Sequence, residues 1–268
     1  HARNEIIVLT DAACYTMQYV GAPRVFDFAQ QSNNISIIGP LAVTAANGIV
    51  YWMGNEKFYV FDGKVQTLPC PLLDEVFDDI NALQLTQTFA GTNEGFDEVW
   101  WQYCSSTANL PDRYVIYNYA LRVWYYGTLT RTAWLDAPLK GGPLAATTVN
   151  NLVLHENGVD SVEGGSNVAI EAYVESADFD SGDGHNYGFV RKILPDLTFT
   201  GSSAFAPAAN MTVLTRNYPG SAHNAETNNT VTRTSVVEVQ QRTPELFMRA
   251  RGRQMSLRVA SPGVAVQW

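Results

Sequence analysis

The clearest candidate for a metal-binding site is a stretch of spaced aspartates, Asp178, Asp180 and Asp183, within the segment DFDSGDG. Carboxylate oxygens separated by glycine can wrap a calcium ion, which prefers oxygen ligands. An EF-hand loop would end on a glutamate, and Phe189 stands at that position instead. A flexible polar loop without a metal is therefore the alternative interpretation.

A histidine followed by a glutamate, His155-Glu156, is the candidate for a general base. A histidine at the end of a strand more often bonds a backbone group than a substrate. The sequence has no metal-ligand spacing among its histidines and cysteines, no Gly-x-Ser-x-Gly elbow, no P-loop and no dinucleotide fingerprint. We therefore predict no catalytic residues, no cofactor and no enzymatic activity.

Two pairs of neighbouring carboxylates leave one enzymatic alternative open. Asp78 with Asp79, and Glu94 with Asp97, are pairs of the kind that glycosidases place across a sugar. Acids in solvated turns explain both pairs equally well. A propeller-type glycosidase is therefore kept as an alternative function.

Aromatic residues occur in adjacent positions, as in Tyr51-Trp52, Trp100-Trp101 and Trp124-Tyr125-Tyr126. Successive residues of a strand point to opposite faces, so we expect one ring of each pair in the core and its neighbour outside. The outer rings would pack against neighbouring subunits or bind carbohydrate, as in an adhesin. Subunit packing is favoured, because aromatic residues are enriched at protein interfaces.

Composition limits the classes of protein that need considering. The chain has 268 residues, of which 46% are hydrophobic and only 16% charged, with a formal net charge of −9. An acidic chain argues against a protein that grips nucleic acid, which needs a basic face. Three widely spaced cysteines give no disulfide framework and indicate buried thiols in a reducing cytoplasm. No apolar run is long enough to span a membrane.

Basic residues cluster near the end of this acidic chain. Arg249, Arg251 and Arg253 alternate along one predicted strand. Because side chains on a strand alternate between its faces, the three would share one face unless Gly252 forms a bulge.

The strands that must position these residues occur in repeating units. When the sequence is shifted so that Gly39 falls on Gly142, the segments GPLAVTAANGIV and GPLAATTVNNLV match at seven positions. Weaker copies begin near Leu83 and Ile6. A repeat of roughly 50 residues with several strands per unit is typical of β-propeller blades. The Asn47-Gly48 pair predicts a tight hairpin within such a unit.

The fold class is therefore predicted as all-β, with partial-propeller blades followed by further antiparallel β structure. We assign residues 1–163 to blades and residues 164–268 to a C-terminal β region that either closes the ring or forms a second domain. The only helix candidate is Asp74 to Leu83, where Val76, Phe77 and Ile80 stand between carboxylates, and a loop with one helical turn is the equal alternative. Because the chain begins at His1 and ends in a strand-like run at Trp268, we expect it to be part of a longer protein.

A family resemblance is carried by aromatic-rich segments that cover roughly residues 5–160. These segments are IVYWMG from Ile49, FYVFDG from Phe58, EVWW from Glu98, DRYVIYNY from Asp112, RTAW from Arg131 and HENG from His155. They resemble the tail hub or nozzle proteins of short-tailed bacteriophages, which are also called packaged-DNA stabilisation proteins. The C-terminal part resembles the family more loosely.

The resemblance implies a structural role in the tail of a virion that is assembled in the host cytoplasm. It implies a homo-oligomeric ring, with six copies expected, that contacts the portal and adaptor proteins and carries a tail fibre or spike. Such a ring retains packaged DNA and lets it pass non-specifically during ejection. The family supplies no catalytic residues.

Overall fold

Strands account for 47% of the described residues and helix for 5%, which confirms the all-β prediction. The computed structural model describes residues 5–136, 141–163, 166–180, 182, 184–221, 223, 235–263 and 266–268. Within these residues no sheet closes on itself, so the propeller itself stays a prediction. The chain divides into two compact units, His1–Asn157 and Gly158–Trp268. The boundary drawn from the sequence, between residues 163 and 164, falls inside the second unit.

The first unit begins with two antiparallel sheets whose strands follow chain order. The first sheet consists of β1 (Ile6–Leu9), β2 (Cys14–Tyr19) and β3 (Phe26–Ser32). The second consists of β4 (Val43–Ala46), β5 (Ile49–Met53), β6 (Phe58–Phe61) and β7 (Val65–Leu68). Each is a simple meander, in which neighbours in sequence are neighbours in the sheet.

An α-helix, α1 (Leu73–Asp79), follows the second sheet. The helix candidate in the sequence extended as far as Leu83. The helix ends earlier because Ile80 is extended and bridges Ser105, and the Asn81 amide donates to the Cys104 carbonyl. These bonds to the next sheet replace the intrahelical ones.

Two further sheets complete the first unit. The third consists of β8 (Phe89–Asn93), β9 (Glu98–Tyr103), β10 (Arg113–Asn118) and β11 (Val123–Thr128), with 3-10 turns at Leu85–Gln87 and Glu94–Phe96. The fourth consists of β12 (Ala133–Leu135), β13 (Leu144–Ala146) and β14 (Leu152–Leu154). Both are again antiparallel meanders.

The sheets of the first unit stack face to face, and each interior sheet is covered on both sides. Trp52 packs with Cys14 and Ile35 against the first sheet. Tyr51, on the opposite face of the same strand, packs in a second core with Trp101 of the third sheet. A strand that is buried on both faces has a continuous apolar run instead of an alternating one, and β5 and β9 have such runs.

The internal repeat corresponds to two hairpins of similar geometry. Strands β4 and β5 pair antiparallel around Asn47, and β13 and β14 pair antiparallel around Asn150. Both asparagines are in the left-handed region, with φ of 50° and 63°. Asparagine tolerates this conformation better than most residues, which explains why both copies have it at the turn.

The described part of the second unit contains one five-stranded sheet and two separate strand pairs. In chain order its strands are β15 (Asp160–Ser161), β16 (Val168–Ala169), β17 (Tyr173–Glu175), β18 (Phe179–Asp180), β19 (Gly188–Ile193), β20 (Ala208–Arg216), β21 (Ser235–Gln240), β22 (Leu246–Gly252) and β23 (Gln254–Ala260). The largest sheet has the order β17-β23-β20-β21, and β18 also pairs with β23. Strands β15 and β16 form a separate pair, as do β19 and β22.

Candidate functional site

Of the three aspartates that predicted a calcium site, the structure describes Asp178 and Asp180, and the carboxylate of Asp178 is bound by other side chains. Asp178 forms an ion pair with Arg216, and its Oδ1 lies 2.7 Å from Nε2 of His223. Asp180 is exposed on β18, and Asp183 lies outside the described residues. Among the residues that the structure describes, no group of acids, histidines or cysteines has the arrangement of a metal site. The Asp178 carboxylate therefore connects the residue before β18 to Arg216 at the end of β20 and to His223.

The most concentrated arrangement of polar and aromatic side chains lies between the third and fourth sheets. Tyr114, Trp100, Trp134 and His155 form a column of rings, with successive centroids 5.1, 4.9 and 4.7 Å apart. Trp134 packs directly over the backbone of Gly91, where any Cβ would collide with its ring. The fourth sheet is thus held against the third by stacked rings.

His155 sits at the end of this column and accepts a hydrogen bond. Nε of Arg131 donates to Nε2 of His155 over 2.8 Å. An accepting Nε2 carries no proton, so the ring lone pair that would serve as a base is already occupied by a guanidinium. His155 therefore ends the ring column bonded to a side chain, the Arg131 guanidinium, whereas the sequence interpretation expected a backbone group as the alternative to a general base.

Two carboxylates share one amide beside the column. Nδ2 of Asn93 donates to Oε2 of Glu98 over 3.4 Å and to Oε1 of Glu156 over 3.1 Å. Nε1 of Trp100 also donates to Glu98 Oε2, over 3.0 Å. The two accepting oxygens are therefore no further apart than two hydrogen-bond lengths.

The electrostatics of this pair are unfavourable for two negative charges. Burial raises the pKa of Glu98, and the neighbouring charge of Glu156 raises it further against the hydrogen bonds from Trp100 and Asn93. Burial also raises the pKa of the Glu156 carboxyl, although the residue as a whole is exposed to solvent. A pair of nearby carboxylates is most stable when one of them is protonated. The pair therefore combines two carboxylates of raised pKa with one shared amide donor.

The sequence did not identify this pair. It selected Glu156 as a neighbour of His155, whereas Glu98 stands at the first position of a strand that continues with Val99, Trp100 and Trp101. An acid at the start of a buried strand is the one signal that would have identified it. Glu98 lies on the third sheet and Glu156 in the loop that follows β14 of the fourth, so only the stacking of these sheets brings them together.

The two carboxylate pairs that were selected from the sequence lie elsewhere. Asp78 and Asp79 line a cleft of about 570 Å³ beside α1, and Nε of Arg113 donates to Oδ2 of Asp79 over 3.0 Å. Glu94 and Asp97 belong to a tight turn, in which Asp97 has a φ of 58°. In neither pair do both carboxylates accept a hydrogen bond from one described side chain, as Glu98 and Glu156 both do from Asn93.

The expectation that one ring of each aromatic pair lies outside is wrong for two of the three groups. Tyr51 and Trp52 are 5% and 0% exposed, and Trp100 and Trp101 are 8% and 0% exposed. The rings do point to opposite faces, but both faces are covered by neighbouring sheets. Only Tyr125 and Tyr126, on the edge strand β11, expose large parts of their rings. The buried rings offer no platform for a sugar.

The three thiols are also buried in the first unit. Cys14, Cys70 and Cys104 are free and buried. Burial raises the pKa of Cys14 and of Cys70 to about 11, which keeps both thiols protonated and unreactive. This agrees with their interpretation as packing residues.

A scan of the sequence against family models finds no match, and a search of the curated proteins finds no similar sequence. The described residues include no helix of sufficient length and apolarity to cross a lipid bilayer. The fold and the side-chain geometry define the class of protein as one built from antiparallel β-sheets in two units.

Proposed function

We propose that this chain is a structural component of a short phage tail, located in its hub or nozzle. Several copies, six by the resemblance of its aromatic segments, form a ring that retains packaged DNA and opens for ejection. The stacked sheets of the first unit are then consecutive propeller blades. Portal and adaptor proteins on one side, and a fibre or spike on the other, are the partners in this proposal.

The arrangement of the first strands of the sheets supports the blade interpretation. Leu41, just before β4, pairs with Phe89 of β8, and the Ala90 amide donates to the Leu41 carbonyl over 2.8 Å. On the other side of β8, Nε1 of Trp134 in β12 donates to the Thr92 carbonyl over 2.7 Å. Successive sheets thus approach each other through their first strands, as the inner strands of blades do around an axis.

The exposed hairpin of β2 and β3 is the observation that carries the proposal. No residue of β3 is buried, and among the described strands β3 pairs with β2 alone. Phe26 and Phe28 on this strand are 48% and 59% exposed, and Tyr19 is 74% exposed. An edge strand with exposed apolar side chains pairs or aggregates unless another protein covers it. A neighbouring copy in a ring would provide that cover.

The acidic character of the chain is compatible with passage of DNA. A net charge of −9 repels phosphate. A wall of this kind avoids the many ion pairs that would slow a moving duplex. Retention of the genome then depends on closing the ring, not on adhesion to DNA.

Size-exclusion chromatography with light scattering, followed by negative-stain electron microscopy, tests the ring. The wild-type chain should form rings with a central channel, and Phe26→Ser with Phe28→Ser should shift the mass to smaller species. Phe205→Ser is the matched control, because Phe205 is fully exposed in the other unit. A wild-type chain that stays monomeric at every concentration would overturn the proposal.

Genome retention tests the place of the chain in the virion. Disrupting the gene in the phage that carries it should leave heads that package DNA and then lose it, measured as DNase-protected genomes per head. Antibodies against the chain should label the tail end of wild-type particles. Heads that keep their DNA, or label on another structure, would contradict the tail role.

Glycoside hydrolysis is a second candidate, favoured only by the Glu98–Glu156 pair. Retaining glycosidases place two carboxylates about 5 Å apart, one kept protonated by a raised pKa. Hydrolysis of a glycan by the wild-type chain, abolished by both Glu98→Gln and Glu156→Gln, would establish this function. Activity in either variant, or none in the wild type, would exclude it.

A further inference from the structure

The outward side of the β19–β22 pair carries a set of cationic and aromatic side chains on an otherwise acidic chain. Along β22, Leu246, Met248, Ala250 and Gly252 are buried, whereas Phe247, Arg249 and Arg251 are exposed. The strict alternation arises because one face of β22 covers a core that includes Leu246 and Met248. The three exposed residues therefore lie on one side of the strand.

Strand β19 adds to the same region. Phe189 lies opposite Arg251 in the register, and Arg191 lies at a β-bulge where the pairing shifts. Phe189, Arg191, Phe247 and Arg249 line a concavity of about 570 Å³, together with Met248. We call Phe189, Arg191, Phe247, Arg249 and Arg251 the basic face.

The sequence prediction for this region is partly confirmed. Arg249 and Arg251 share one exposed face of β22. Arg253 does not, because β22 ends at Gly252 and Arg253 lies half-buried in the turn to β23, where its amide donates to the Arg216 carbonyl. The turn therefore removes the third arginine from the row.

Two of the three arginines of the basic face, Arg191 and Arg251, lie over aromatic rings. The guanidinium of Arg251 lies 4.6 Å from the ring centroid of Tyr187, and that of Arg191 lies 5.2 Å from that of Phe189. Within the described ranges, none of Arg191, Arg249 and Arg251 forms an ion pair. Lys192, in contrast, is paired with Glu245 over 3.0 Å. The three guanidinium groups keep their charge available for a partner.

Charge is distributed unevenly along the chain. The segment 188–258 contains nine of the 17 basic residues and four of the 26 acidic residues. The rest of the chain is therefore strongly acidic. The segment 188–258 carries a local excess of positive charge although the net charge of the whole chain is negative. A surface with such an excess is complementary to a polyanion.

We propose that the basic face binds single-stranded nucleic acid. Phosphates contact Arg249 and Arg251, and unpaired bases stack on Phe247 and Phe189. Phe247 is 73% exposed and Phe189 is 49% exposed. Base-to-ring stacking needs bases that are not already stacked in a duplex, and it needs cations beside the rings for the backbone. An acidic protein surface would satisfy the arginines but would leave the two phenylalanine rings without flat partners. The inference does not depend on the proposed tail role.

Fluorescence anisotropy with labelled oligothymidine tests the site on the full chain. Binding should be strong at about 50 mM salt and much weaker at about 200 mM. Arg249→Ala with Arg251→Ala should weaken binding and reduce the magnitude of the salt slope by about 1.4, because each phosphate contact to a single strand contributes about 0.7. Phe247→Ala should weaken binding on the order of ten-fold with an unchanged salt slope.

Matched controls exist in the same unit. Arg242→Ala removes an exposed arginine outside the basic face, and Phe205→Ala removes an exposed phenylalanine. Both should bind like the wild type. No binding of oligothymidine at low salt would overturn the proposal, as would an equal loss in Arg242→Ala. The proposed stacking of bases on the phenylalanine rings is wrong if Phe247→Ala has no effect on binding and duplex DNA or heparin binds as well as oligothymidine.

One outcome would assign the basic face to a different partner. If the wild-type chain forms a salt-sensitive oligomer that Arg249→Ala with Arg251→Ala disperses, and oligothymidine does not bind, the face contacts an acidic surface of another copy. That result overturns the nucleic-acid proposal. It leaves the test of the exposed β2–β3 hairpin unaffected, because the two variants change different units.

Discussion

The two units bury their strands in different ways. In the first unit the interior sheets are covered on both faces, and Trp52, Trp101, Tyr103 and Phe58 are almost fully buried. In the second unit, β20 and β22 alternate between buried and more exposed positions, which is typical of sheets covered on one face. The largest of its nearly fully buried side chains is Leu246. Aromatic rings thus dominate the described core of the first unit, whereas that of the second is mostly non-aromatic around the ring of Phe199.

Whether a sheet is covered on one face or on both determines where each unit can make contacts. A sheet covered on both faces offers only its edges and hairpins to partners, so the first unit exposes the β2–β3 hairpin and the edge strand β11. A sheet covered on one face offers its whole other side, and in the second unit this side carries the basic face. Stacked sheets therefore suit assembly, and the open face suits binding of a ligand.

The substitution Trp101→Ala should have the largest effect, and only on the first unit. Trp101 is 0% exposed, stacks with Trp124, and donates from Nε1 to the Ala42 carbonyl. Its loss should cost about 4 kcal/mol of unfolding free energy, because a large cavity opens between two sheets. Five of the six tryptophans lie in the first unit, so denaturation followed by tryptophan fluorescence reports on that unit.

Hydrogen exchange resolves the second unit in the same variant. Amides of β20 and β23 should keep their wild-type protection in Trp101→Ala if the units unfold separately. Phe205→Ala is the control for losing an aromatic ring without opening a cavity. Loss of protection in both units together would contradict the division into two units.

The substitution Leu246→Ala tests the same comparison by destabilising the second unit in place of the first. Leu246 is 2% exposed and packs with Phe199, Val239 and Val259. Its truncation should cost about 3 kcal/mol in the second unit, less than the loss of a tryptophan. Hydrogen exchange should show faster opening of β20 to β23 with an unchanged tryptophan transition. Leu194→Ala, at an exposed leucine of the same unit, serves as the control.

The ion pair at Asp178 predicts a smaller effect and a negative result with calcium. Asp178→Asn should cost about 2 kcal/mol, because a hydrogen bond between a carboxylate and a charged group, here the Arg216 guanidinium, contributes about that amount. Adding calcium should leave the melting temperature of the wild-type chain unchanged, measured against the same chain in a chelator. A calcium-dependent rise that Asp178→Asn abolishes would restore the metal site that the sequence predicted.

Several parts of this comparison could be predicted from the sequence. The all-β class, the hairpin at Asn47 and the matching hairpin at Asn150 follow from short-range patterns, because turn residues and strand composition act locally. Burial of both Trp100 and Trp101 could not be predicted, because it depends on which sheets stack. The Asp178–Arg216 and Glu98–Glu156 pairs join residues that are distant in sequence. Only the register and stacking of strands brings such partners together.

The smallest effect is expected from Glu98→Gln, and it concerns pH. The folded unit raises the pKa of Glu98 and of Glu156 above the ordinary value of 4.5, so the folded state binds protons more tightly than the unfolded state. Their contribution to stability is therefore largest at low pH. It declines as pH rises from about 4.5 through the raised values, because the unfolded state loses its protons first.

Glutamine removes one of the two titrating groups but keeps an oxygen that accepts from Trp100 and Asn93. Glu98→Gln should therefore flatten this decline and raise the melting temperature at neutral pH by a few degrees relative to the wild type. Glu238→Gln is the control, at an exposed glutamate of β21 in the other unit. Melting curves of the first unit, followed by tryptophan fluorescence across this pH range, measure both. A decline that persists unchanged in Glu98→Gln and in Glu156→Gln would show that the carboxylate pair does not govern the pH dependence of the first unit.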